Sequence, residues 1–159
     1  MENSIKIYCS AILIILSFWT NGQTKIEKNV LKNKLDIEVT TFRHLFKNNA
    51  SLIKNKASYY FISIEDSANN TIDKVIDKLD NVTPTVKKID EYHTMTEEQR
   101  KKIEFLSFYI NEITFLTKRK VEVYCGYYEA SLSSSGNVVR LVKIFGKWRI
   151  IKDQMIVIS

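Results

Sequence analysis

The chain has few of the residues that interrupt or cross-link a fold. Its 159 residues include one proline, four glycines, two cysteines and two histidines. So little proline and glycine argues against long flexible linkers and low-complexity tracts. The histidines, His44 and His93, are isolated. No His-x-x-x-His or Cys-x-x-Cys spacing is present, so the common zinc patterns do not apply. Asp90, Glu91 and His93 form the one loose grouping with divalent-ion chemistry. No nucleophile elbow surrounds Ser131, Ser133, Ser134 or Ser135, which read as turn formers. No metal, cofactor or catalytic residue is expected.

What the chain does carry begins at its N-terminus. Lys6 precedes the apolar run Ile7 to Trp19, and Thr20, Asn21, Gly22 and Gln23 follow. A basic start, a short hydrophobic segment and a small-residue exit read as a secretory signal peptide over residues 1–22. The run is about 13 to 15 residues, short of the roughly 20 that span a bilayer as a helix. Cys9 sits inside the run, not at its exit, which argues against lipidation. Cleavage leaves residues 23–159 as one domain with Cys125 alone, so no disulfide forms within it and stability rests on packing. The expected location is outside the cytoplasm, periplasmic or extracellular, with no transmembrane segment in the mature chain.

The formal net charge is +6, unevenly spread. Residues 25–56 carry net +5, residues 57–98 net −5 and residues 99–159 net +6. A basic exported protein suits an envelope protein or an anionic surface polymer as partner. Nucleic acid is not expected, since no recognition motif is present.

Residues 25–49 read as helical, with Ile26, Val30, Ile37, Phe42, Leu45 and Phe46 near helical spacing. Residues 58–64 read as a short strand. Ile72, Val75, Ile76 and Leu79 mark a second helix, with Ser67 or Asn70 as its cap and Pro84 beyond its end. The polar stretch 86–100 is ambiguous; a helix capped at Thr94 or Thr96 is one reading. Residues 103–116 favour a strand, with a bulge near Leu106-Ser107 where apolar parity shifts. Strands are expected over 121–132, 138–145 and 148–158, joined by a Ser133 to Asn137 loop and a Gly146-Lys147 turn. An interruption of the final strand is expected at Asp153-Gln154. Helices first and strands last predict an α+β fold, N-terminal helices packed on a curved antiparallel meander sheet, in the order shared by cystatin-like and NTF2-like folds.

Gly126-Tyr127-Tyr128-Glu129 running into Ser135-Gly136-Asn137, then Gly146-Lys147-Trp148 and the terminal Ile158-Ser159, resembles an uncharacterised family of small secreted bacterial proteins. The leader ending in Asn-Gly-Gln is similar to those of Bacteroidota. The resemblance is good over 121–159 and loose over 58–159. The family usually has a second glycine where Cys125 stands, and it carries no active site to transfer.

The candidate binding residues are Tyr124, Tyr128 and Glu129. Alternation puts Tyr124 and Tyr128 on one sheet face, opposite Cys125 and Tyr127. Aromatics on a curved sheet line a pocket, a partner surface or the underside of a helix. Cys125 reads as a small buried hydrophobe and Trp148 as a packing anchor. Glu104, Glu112, Glu122 and Glu129 all fall in expected strands, which leaves a glycosidase-type carboxylate pair open. Glu122 and Glu129 have opposite parity, so one strand does not present both on one face. The function these features favour is a non-enzymatic binding module of the cell envelope. The alternatives are a small-molecule or enzymatic pocket in an NTF2-like cone and a toxin-blocking immunity-type protein.

Overall fold

The run Tyr59–Ile64 is apolar at both parities, so as a strand it must be covered on both faces. Parallel pairing suits such a strand, and β1 (Tyr59–Ile64) lies between two parallel neighbours, β2 (Thr85–Lys88) and β3 (Phe105–Thr117). From β3 the chain continues as an antiparallel meander through β4 (Lys120–Glu129), β5 (Ser133–Ile144) and β6 (Lys147–Ile158). The result is an open six-stranded mixed sheet of order β2-β1-β3-β4-β5-β6.

The computed structural model describes residues 30–65, 69–129 and 133–158, and the leader expected over 1–22 lies outside them. The chain divides into two units, residues 1–34 and 35–159. In the first, the described residues 30–34 are helical; in the second, residues 35–48 form the helix α1. None of the described helices is long and apolar enough to cross a membrane.

From Leu35 onward, α1 buries Ile37, Phe42, Leu45 and Phe46. Phe46 packs on Tyr60 and Phe108, with ring centroids 4.9 and 4.7 Å away. The second helix, α2 (Asn69–Asp77), joins the same core through Ile72, Val75 and the following Leu79. The sheet face they cover carries Ile62, Ile110, Val121, Val123, Val139 and Leu141. The short helices α3 (Ile89–Thr94) and α4 (Glu97–Lys101) follow β2. Tyr92 of α3 packs on Phe61 and Phe105, at 5.6 and 4.4 Å, against the opposite face of β1 and β3. Thr96 caps α4: its hydroxyl accepts from Gln99 N while Gln99 Oε1 accepts from Thr96 N.

The α+β class stands, with two differences. The sheet is mixed rather than wholly antiparallel, and helices lie on both faces of β1. Both follow from the segment after α2, where a single buried residue, Val86, is enough for a four-residue edge strand.

Several boundaries also move. The β3 bulge falls at Asn111, between Ile110 and Glu112, not at Leu106-Ser107. Phe105 breaks parity because it faces Tyr92 on the far side. Ser133 to Asn137 is strand, not loop; residues 130–132 lie outside those described, as does Ser67. Asn70 lies inside α2 rather than capping it. The β5–β6 turn is Phe145-Gly146, both at positive φ (49° and 78°), which matches the twist of a two-residue hairpin. In β6 the irregularities lie at Ile151 and Ile156, each an extra residue against β5, on either side of the expected Asp153-Gln154 interruption.

Candidate functional site

Among the described residues, no helix packs on the second sheet face over β4 and β5. Three register rows define it. The first brings together Thr114, Glu122, Arg140 and Lys152, and the second Glu112, Tyr124, Val138 and Gln154. In the third, Ser107, Tyr128 and Ser134 align. Tyr124 and Tyr128 are 41% and 49% exposed, whereas Cys125 and Tyr127 on the covered face are 2% and 8% exposed. Arg140 donates from Nε and a terminal guanidinium nitrogen to Glu122 Oε1, so this pair is internally neutral. Lys152 and Arg149 are exposed and bring positive charge to the rim.

Between the tyrosines lies a cross-strand glycine pair, Gly126 opposite Gly136. The Tyr109 phenol occupies the space that a Gly126 side chain would fill, and its hydroxyl donates to the Ser135 carbonyl at 3.2 Å. A Cβ on Gly126 would collide with that carbonyl as well as the phenol. Tyr128 leans on the same ring, with centroids 5.0 Å apart. Burial, then the neighbouring Tyr128 and Cys125, push the Tyr109 hydroxyl above its ordinary pKa. Strand glycine of this kind marks close approach of another group, and that signal points to Tyr109, which sequence reasoning passed over.

Glu129 is not part of this face. It pairs in register with Leu106 and Ser133, on the helix-covered side at the end of the strand. Of the candidate trio, the structure brings Tyr124 and Tyr128 onto one surface and leaves Glu129 apart. Glu122 lies on the open face with Glu112, but it is committed to Arg140.

The covered face ends in a polar chain linking α1 to β5 and β6. His44 Nε2 lies 2.7 Å from Asp153 Oδ2. Asn137 Nδ2 donates to Asp153 Oδ1 at 2.7 Å, and Ser135 Oγ donates to Asn137 Oδ1 at 2.9 Å. Asn48 Nδ2 reaches His44 Nδ1 at 2.9 Å. Ser, His and Asp are thus gathered in one place, but in the wrong order for acyl transfer. Nucleophilic catalysis needs the imidazole between hydroxyl and carboxylate. Here the carboxylate lies between histidine and asparagine, and the serine gives its proton to an amide. The adjoining cavity, about 20 Å³ in volume, has room for a water molecule and not for a substrate. This cluster ties α1 to the far strands. His44 and Asp153 are 109 residues apart in sequence, which hid His44's role.

Cys125 lies beside Asn137 in register and is buried. Burial and then the Asp153 charge push its thiol up to about 12, so it is a neutral packing group rather than a nucleophile. His93 is exposed on α3, and among the described residues no group of three His, Cys, Asp or Glu side chains is placed to hold a metal ion. Comparison with protein families, characterised proteins and solved structures finds no match.

Proposed function

We propose that this is an exported, non-catalytic binding module that grips another envelope protein through the open face of β4 and β5. The observation that carries the reading is the exposure of Tyr124 and Tyr128 on a face that no described helix covers, while Cys125 and Tyr127 on the opposite face are buried. Tyrosine supplies large contact area with little rotamer entropy to lose, and its hydroxyl tolerates water before binding. The centre of the face, Tyr124, Tyr128 and Val138, suits an apolar patch on the partner. The Arg149 and Lys152 rim suits acidic residues around that patch. Export rests on the leader-like N-terminus. The family resemblance is compatible with this reading and adds no activity to it.

A photo-crosslinking residue at position 124, with a control at the 92% exposed Leu52, tests the proposal in intact envelope. The expected result is one discrete protein adduct from position 124 and none from position 52. Equal labelling at both positions, or none at 124, overturns it.

A further inference from the structure

A second surface, remote in character from the tyrosine face, lies where α1 meets the connection from α2 to β2. A cleft of about 490 Å³ opens there, within the range of small-ligand sites. Phe46 and Tyr60, nearly fully buried and tilted 35° to each other with ring centroids 4.9 Å apart, line it, with Val82 and Pro84 also on its walls. Arg43, Lys47 and Lys54 stand at the same cleft, and among the described residues no carboxylate lines it.

The charges at this cleft are not neutralised. Arg43 donates to the Lys78 carbonyl at 2.8 Å and lies 3.4 Å from Asn81 Oδ1, both neutral acceptors. Lys54 Nζ donates to the Lys47 carbonyl, capping the last turn of α1. Among the described residues none of the three joins an ion pair. The end of a helix contributes roughly half a negative charge. Three full cations outweigh it, so the cleft is positive as well as aromatic.

We propose that this cleft binds a small organic anion, an oxyanion head on an aromatic or aliphatic body. The head would sit among Arg43, Lys47 and Lys54 and the body against Phe46, Tyr60 and Pro84. The shared chemistry fits a phosphate ester or a carboxylate of this shape. It does not depend on the tyrosine face having a partner.

The test is an amide-shift titration of the isotope-labelled protein with phenyl phosphate, with inorganic phosphate and benzyl alcohol as the two halves of the ligand. The expected result is a saturable response confined to residues near Phe46, Lys54, Tyr60 and Thr83, at least about tenfold tighter than either control. Arg43→Gln should weaken binding about tenfold, through loss of a charge-assisted contact. Because Arg43 also ties α1 to the Lys78 carbonyl, Lys47→Gln serves as the second variant. Lys47 is exposed and outside any ion pair, and its loss should weaken binding about two- to fivefold with an unchanged melt. Binding of inorganic phosphate as tight as phenyl phosphate would show charge alone and overturn the proposal. So would shifts scattered over other basic surfaces, no response, or unchanged affinity in Lys47→Gln.

Discussion

The parallel and antiparallel halves of the sheet are built differently. Around β1 both faces are covered: α1 and α2 pack on one side, and Tyr92 of α3 closes over Phe61 and Phe105 on the other. Over β4 and β5 the described residues cover only one face. Phe61 is fully buried, while Tyr124 and Tyr128, on the same side of the sheet, are nearly half exposed. The same residue class therefore meets two environments. Aromatics under α3 hold the fold, and aromatics beyond its reach stay exposed. Parallel strands need this double cover, whereas an antiparallel meander can leave one face in water.

The largest expected effect falls on the doubly covered half. Phe61→Ala should cost about 3–5 kcal/mol, since it opens a cavity against Phe105 and Tyr92. Chemical denaturation measures it. A cost below about 1 kcal/mol would mean that α3 is not a packed element.

Gly126→Ala comes next, at about 1–3 kcal/mol or more, because its Cβ meets the Ser135 backbone as well as the Tyr109 ring. Tyr109→Ala should not rescue it, as the Ser135 carbonyl remains in the way. Rescue by that second change would place the conflict in the ring alone.

A smaller effect follows from the Cys125 thiol, held at about 12 against an ordinary 9.0. The folded state keeps the proton that the unfolded chain releases above pH 9. The thiol's contribution is therefore full below pH 9 and declines as pH rises toward 12, by up to about 1.4 kcal/mol per pH unit. Burial also raises the Tyr60 and Tyr109 phenols, so the slope should steepen above pH 10. Denaturation midpoints between pH 8 and 11 check this; a flat profile would mean that the thiol is solvated.

The meander was the legible part of this fold. Strict alternation along β4 separates Tyr124 and Tyr128 from Cys125 and Tyr127, and the structure keeps that division. The buried Trp148 was likewise readable from its place after a tight turn. The parallel edge was not legible, because β2 is Thr-Val-Lys-Lys and has one apolar side chain to announce it. Ser133 to Asn137 looked like a turn by composition. It is strand because Gly136 sits opposite Gly126, whose open side Tyr109 fills, a long-range fit that no local pattern carries. Glu129 follows Tyr128 in sequence, and its odd position sends it to the other face. The His44–Asp153 contact and the basic cleft depend on elements far apart in the chain, so neither has a local signature.

The most direct measurement takes the double variant Tyr124→Ser/Tyr128→Ser and records its thermal melt beside its retention of the crosslinked envelope protein at moderate salt. Losing Tyr124 should change stability by less than about 0.5 kcal/mol, and losing Tyr128 from its stack on Tyr109 by up to about 1 kcal/mol. The expected result is a melt close to that of the parent with retention lost. Unchanged retention, or a melt lowered as far as that of Phe61→Ala, would contradict the division between a face that holds the fold and a face that makes contact.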